Sequence, residues 1–263
     1  MSMEKIVLWE AGTVPFVCCS EREENIERRF GGEYIHDVSC PAVYFYPCQE
    51  KGVRPALLIA PGGGYAYLSW DLEGTEIAEF FNKAGFSVFI LKYRCPDQRQ
   101  AAHADAARAI RYIRANAARF NIDPEKVAMM GFSAGAHLTA TVSAPADAVP
   151  YQPVDETDSF SYRPDFSLLI YPAYLADENL NLNKEFDFTP DAPPVFICQT
   201  EDDPIHVENA LAWFWAAKKA GVPAELHIFA EGGHGYGIRS EISPVSEWHK
   251  KAVRWLKQHV GEA

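Results

Sequence analysis

Unbroken apolar runs alternate with stretches of helical spacing along most of this chain. PALLIA (55–60) and FSVFILKY (86–93) are runs of the kind carried by strands buried on both faces, and VAMMG (127–131), FSLLIYP (166–172), PVFICQT (194–200) and PAELHIFA (223–230) read as further strands. Between them, LEGTEIAEFFNKAG (72–85), the alanine-rich stretch 101–120, VENALAWFWAAKKAG (207–221) and PVSEWHKKAVRWLKQHV (244–260) space their apolar residues as helices do. Gly85 and Gly221 stand where helices close. NIDPEK (121–126) reads as a turn in which Asp123 can cap and Pro124 suits a first helical position. Strand-helix alternation predicts an α/β fold, with a mostly parallel central sheet and helices on both faces.

The first forty residues are less regular. KIVLW (5–9) is a candidate short strand, EREENIERRF (21–30) reads as a charged surface segment, and AVYFYP (42–47) as a strand closed by proline and the polar QEKG. Residues 145–165 and 176–193 lose apolar periodicity and are expected to be irregular insertions. With no repeat, low-complexity tract or linker in view, one domain over 1–263 is expected, its core about 42–260.

Composition narrows the function. At 263 residues and 48% hydrophobic, the chain can bury a large core. A net charge of −12 without a basic cluster argues against nucleic acid and anionic membrane surfaces. No window has the apolar length of a membrane span, and MSMEKIVLWEAG lacks the apolar stretch of a secretory leader. Cys18, Cys19, Cys40, Cys48, Cys95 and Cys198 follow no metal or redox spacing, so reduced thiols and a cytoplasmic location are expected.

The chemistry concentrates in loops that follow the predicted strands, where open α/β sheets bind ligands. Gly131-Phe132-Ser133-Ala134-Gly135 fits G-x-S-x-G, with a strand before it and a helix after it. Such a turn holds the serine above the sheet as a nucleophile; the plainer reading is glycines for packing and a serine cap. A serine hydroxyl needs a base. Of the eight histidines, His234 lies in the glycine-rich loop EGGHGYG after a strand and can reach across to the serine. His137, on the serine's own helix, reads as a packed residue, and His206 is a weaker alternative. The imidazole needs a carboxylate partner, and the loop after PVFICQT offers Asp202 and Asp203. Asp203, directly before Pro204, is favoured, and Asp202 stays open. Pro61-Gly62-Gly63-Gly64-Tyr65 follows another strand. The amides of Gly63 and Gly64, with that of Ala134, are candidate donors to an oxyanion. No Gly-Lys-Ser/Thr follows, which excludes a phosphate loop, and no H-E-x-x-H spacing implies a metal. No cofactor is expected.

Taken together, PGGGY, YRCP, the long helix before NIDPEKVAMMGFSAGAHL, EDDP with VENALAWF, and GVPAELHIFAEGGHGYG resemble the α/β-hydrolase superfamily over residues 55 to 260. The nearest look is to its small esterases, of the acetyl-xylan-esterase, feruloyl-esterase and hormone-sensitive-lipase-like kinds. The resemblance implies a single-domain α/β-hydrolase fold with a small or minimal cap. It makes Ser133 the nucleophile, Asp203 the acid, His234 the base, and Gly63, Gly64 and Ala134 the oxyanion hole. The chain departs from lipase-like relatives at Pro61, where a histidine is usual, and in a shorter turn after Asp203. A small cap implies a shallow pocket and a short acyl group, acetyl first. Tyr65 and Trp70 are candidate pocket residues, and with Tyr67 and Tyr174 could stack on a sugar. The expected function is a serine carboxylesterase, as a carbohydrate O-acetyl esterase acting on a small-molecule or oligosaccharide ester. An arylformamidase or a small amidase or peptidase would use the same triad. A catalytically dead binding protein is the third reading. The edge of an open sheet permits a homodimer without requiring one.

Overall fold

The structure, a computed structural model, describes residues 3–10, 12–16, 23–149 and 151–261. Cys18 and Cys19 lie outside the described residues. The central sheet has eight strands, in the order β1-β4-β7-β5-β8-β9-β10-β11. These are β1 (Glu4–Val7), β4 (Ala42–Tyr46), β5 (Arg54–Ala60), β7 (Ser87–Lys92), β8 (Ile122–Phe132), β9 (Phe166–Ile170), β10 (Val195–Thr200) and β11 (Ala224–Phe229). The pairs β1·β4 and β4·β7 are antiparallel, and every pair from β7 to β11 is parallel. Strands β7 and β10 are buried at every position, as their unbroken apolar runs require. Edge strands β1 and β11 are mostly exposed or half-buried.

The helices are α1 (Glu76–Lys83), α2 (Arg99–Ala115), α3 (Ala117–Phe120), α4 (Ala134–Ser143), α5 (Glu208–Ala220) and α6 (Trp248–Val260). A π-helical turn, Asp71–Thr75, leads directly into α1. Hydrophobic residues fill two clusters, the larger including β5, β7, β8 and α2, the smaller centred on Trp213 of α5. After β5 the chain crosses to β7 on one side, then returns to β8 on the other. In such sheets a reversal of this kind marks the carboxyl ends of the strands on either side, here β5 and β8, as the place that takes ligands.

Four local expectations are corrected. EREENIERRF is not a bare surface segment: Asn25–Arg29 forms β2, which pairs with β3 (Gly32–His36), and β3 pairs with β6 (Tyr67–Ser69) in a separate antiparallel sheet. NIDPEK starts no helix, because Ile122 pairs with Arg54 and begins β8. Asp123 instead accepts from the amide of Glu125 at 3.0 Å. The long helix 101–120 begins at Arg99 and breaks at Asn116, whose side-chain amide donates to the carbonyl of Tyr112 at 2.9 Å. The insertion 145–165 contains a 3-10 turn, Glu156–Ser159, and is tied to α2 by ion pairs. Residues 176–193 form no helix or strand and pack Phe186 against Trp213 at 5.1 Å.

Candidate active site

Ser133 sits between β8 and α4 with φ 52° and ψ −116°, a backbone region that non-glycine residues rarely adopt. Holding it there stores about 1–3 kcal/mol of strain. The surroundings enforce it. The Ser133 amide donates to the carbonyl of Ile170 (3.0 Å), and its carbonyl accepts from Ala136 (3.0 Å), His137 (3.2 Å) and Ala173 (3.3 Å). The glycines on either side are steric necessities. A Cβ at Gly131 would overlap the carbonyl of Gly135, and one at Gly135 would overlap the carbonyl of Ala60. Strand, turn and helix therefore meet with no room for side chains.

Three loops bring the predicted residues together. His234 Nε2 is 2.8 Å from Ser133 Oγ, and Nδ1 is 2.7 Å from Asp203 Oδ2. With Nδ1–H donating to the carboxylate, Nε2 is left as the acceptor for the serine hydroxyl. The Asp203 side chain is fully buried and accepts also from the amide of Ile205 (2.7 Å) and from Gln199 Nε2 (3.3 Å). Asp202 points elsewhere. It accepts from the amides of Gly233 (2.8 Å) and Gly232 (3.2 Å), which hold its carboxyl below the usual range and clasp the loop that carries His234. His206 enters through its main chain, its amide donating to the Asp203 carbonyl at 3.3 Å.

The glycine loop lies against the serine. A Cβ on Gly62 would come within 2.9 Å of Ser133 Cβ, and one on Gly63 (φ 128°) would overlap the carbonyl of Tyr67. Among the described residues, none accepts from the amides of Gly63, Gly64 or Ala134. The loop is braced from below: Tyr93 Oη donates to the Pro61 carbonyl at 2.7 Å, and the Gly62 amide donates to Glu73 Oε2 at 2.7 Å. Two partners thus brace the loop, at Pro61 and at the residue after it.

The BD-FAE family model matches residues 43–162. An acetylxylan esterase of Xylanibacter ruminicola is 30% identical over 257 residues, covering 88% of this chain and 50% of that protein. Endo-1,4-beta-xylanase B of Butyrivibrio fibrisolvens is 32% identical over 248 residues, covering 84% of this chain and 37% of that protein. The chain thus spans half or less of these two relatives. The crystal structure of an acetyl ester-xyloside bifunctional hydrolase from Caldicellulosiruptor lactoaceticus superposes with a TM-score of 0.81 at 28% identity, covering 98% of this chain and 96% of that one. The chain has the α/β-hydrolase fold, and its similarities point to the esterase branch of that superfamily.

In this fold the expected pocket aromatics land differently from one another. Tyr65 (φ 62°) adjoins the glycine loop but is 2% exposed, and its hydroxyl is 2.7 Å from His137 Nδ1. His137 Nε2 in turn meets Glu185 Oε1 at 3.0 Å, a bond that lowers the Glu185 carboxyl. Trp70 is also buried, edge-on to Tyr44 with centroids 4.9 Å apart. Both therefore act as packing, with little ring surface left for a ligand. Tyr174 is the exposed ring, its hydroxyl 3.7 Å from where a Gly64 Cβ would stand, with the Arg99 guanidinium 4.5 Å above it.

Two buried residues that sequence reasoning missed complete the surroundings. Glu73 lies in the π-helical turn, and Tyr171 follows β9 with its ring 5.0 Å from that of His234. Glu73 had one legible signal: it stands four residues before Ile77 and eight before Phe81, on an apolar face. Tyr171 had none, since FSLLIYP reads as strand to its end.

Proposed function

We propose that this α/β hydrolase cleaves short-chain carboxylic esters through an acyl-enzyme on Ser133, and that its substrates are O-acetylated carbohydrates. The observation that carries the reading is the continuous line from Ser133 Oγ through His234 to the buried carboxylate of Asp203. In the first step Ser133 Oγ attacks the ester carbonyl while His234 Nε2 takes the hydroxyl proton. Asp203 holds the imidazole in the required tautomer and stabilises the imidazolium. The amides of Gly63, Gly64 and Ala134 receive the oxyanion, each worth about a hundred- to a thousand-fold in rate. His234 then protonates the departing alcohol. Water, deprotonated by His234, attacks the acyl-enzyme and releases the carboxylic acid and the free serine.

The sugar substrate is supported by the acetylxylan esterase and acetyl ester-xyloside hydrolase relatives. A short acyl group is supported by residues 176–193, which reach His137 through Glu185 and form no helix or strand that would build a cap. A cytoplasmic location fits the free thiols at Cys40, Cys48, Cys95 and Cys198. No helix among the described residues is long and apolar enough to cross a membrane.

The test is hydrolysis by the purified protein and its Ser133→Ala variant. The substrates are nitrophenyl esters from acetyl to octanoyl, acetylated xylo-oligosaccharides and N-formylkynurenine. The expected outcome is acetate release from the sugars, lost in the variant, with nitrophenyl rates falling as the acyl chain lengthens. Turnover of formylkynurenine alone would move the enzyme to amide chemistry. Equal rates in both proteins would remove Ser133 as nucleophile.

A further inference from the structure

A carboxylate beneath an oxyanion loop is an unexpected neighbour, since negative charge there opposes the charge that develops in the reaction. Glu73 is 3% exposed, and burial raises its carboxyl above the usual range, against hydrogen bonds from Tyr171 and Gly62 and the pull of His234. Its hydrogen bonds go to neither Ser133 nor His234. What it does touch are the supports of both: the Gly62 amide donates to Oε2 at 2.7 Å and Tyr171 Oη donates to Oε1 at 2.9 Å. Each oxygen accepts one bond, so both support a neighbouring loop.

Tyr171 carries the link onward. Its oxygen accepts from the Gly237 amide at 3.2 Å, three residues beyond His234, and its ring lies edge-on to the imidazole. Gly237 also packs on the π-helical turn directly, where a Cβ would come within 2.7 Å of the Leu72 carbonyl oxygen. On its far side, Trp248 Nε1 donates to the Gly237 carbonyl at 2.7 Å. One buried side chain on one turn therefore joins the glycine loop after β5, the end of β9, and the histidine loop after β11. A π-helical turn inside helical structure is rare and tends to occur at functional sites. Here it places Glu73 between the loops.

We propose that Glu73 is a positioning residue. Its carboxylate fixes the glycine loop and, through Tyr171, the histidine loop relative to each other, so that the Gly63 and Gly64 amides and the His234 imidazole keep their spacing about Ser133. The inference rests on the triad and oxyanion reading given above and adds to it the part that sets its geometry.

Glu73→Gln tests this with little change of shape. A glutamine oxygen still accepts from Gly62, but its NH2 faces a tyrosine hydroxyl that has lost its acceptor. Tyr171→Phe keeps the ring and removes only the hydroxyl. A fluorophosphonate that phosphonylates the nucleophile counts active sites, and kcat per counted site and KM are measured on nitrophenyl acetate. Inhibition by a trifluoromethyl ketone, which forms a tetrahedral adduct, reports on the oxyanion site. Small displacements of positioned groups cost up to about a hundredfold, so Glu73→Gln should lower kcat per site about 10- to 100-fold with KM within about threefold. The inhibition constant of the ketone should rise by the same factor. The double variant should be no slower than Glu73→Gln, because both changes cut one linkage. A kcat per site within about twofold of wild type, whatever the melting temperature, would overturn the proposal and leave Glu73 a packing residue. A Ser133→Ala variant as active as wild type would instead sink the triad reading, and this inference with it.

Discussion

The peptide joining Asp202 to Asp203 separates two carboxylates with opposite surroundings. Asp203 is turned inward to His234 Nδ1, while Asp202 faces out and holds the Gly232 and Gly233 amides. Successive side chains after a strand diverge, so two chemically identical residues receive different tasks. Asp203→Asn should leave His234 in the wrong tautomer and lower kcat on nitrophenyl acetate by about ten-thousandfold. Asp202→Asn keeps one acceptor for the loop amides and should lower kcat less than about tenfold; comparable losses in both variants would mean that the carboxylates share the task. The candidates Ser133, His234 and both aspartates were legible because each follows an apolar run within a short loop of recognisable composition. Pro204 favoured Asp203 as the one that faces the imidazole but left Asp202 open, since the choice depends on how β10 and β11 present their loops to one another.

At the scale of elements, steric limits dominate. Gly63 can carry no side chain, because Tyr67, at the start of β6, passes directly against it. Gly63→Ala should displace the loop and lower kcat about a hundredfold while the protein stays folded, as circular dichroism would check. Helix α2 shows a second kind of constraint. Arg108, Arg111 and Arg114 recur every three residues and meet the segment that was expected to be an irregular insertion. Arg108 pairs with Asp155 and Asp158, Arg111 with Asp158, and Arg114 with Asp165. Tyr151 Oη also donates to Asp158 Oδ1 at 2.6 Å. Removing a buried charge leaves its partners uncompensated, so Asp158→Ala should destabilise the fold by about 3–5 kcal/mol, read from urea unfolding. The small antiparallel sheet escaped sequence reading for a related reason. NIERR has no apolar face of its own, and YLS hides inside a glycine-loop context. Their pairing becomes evident only once β3 lies between them.

For the whole molecule, the same arginine pairs set the response to acid. The hydrogen bond from Arg108, with its charge, lowers the Asp155 carboxyl to about 2 against some opposing desolvation. Burial alone would raise Asp158, yet bonds from Tyr151 and Val154 and the charge of Arg108 bring it below its usual value. A carboxyl whose pKa is lower folded than unfolded gives stability that is present above its unfolded pKa and lost as pH falls through the folded one. The urea midpoint should therefore decline from about pH 4 toward pH 2. The decline should be shallower in Asp155→Asn, which starts from lower stability at neutral pH. Asp155 is partly exposed, so solvent and salt screen the pair, and added salt should shrink the difference between the two proteins. A profile as steep in the variant as in wild type would place the acid response in other carboxylates.

The sequence by itself determined the alternation of strand and helix, the parallel core, and the loops that hold the serine, the histidine and the glycines. These follow from local rules: burial on both faces demands unbroken apolar runs, and a tight strand-to-helix turn demands glycine at fixed positions. Tertiary structure alone decided the role of Asp203 over Asp202 as partner of His234, the burial of Tyr65 and Trp70, the anchoring of residues 151–165 on α2, and the meeting of Glu73 with Tyr171. Those two residues are 98 apart in the chain and joined by one hydrogen bond. A contact of that span depends on strand order and on a π-helical turn, neither of which is encoded in the spacing of nearby residues.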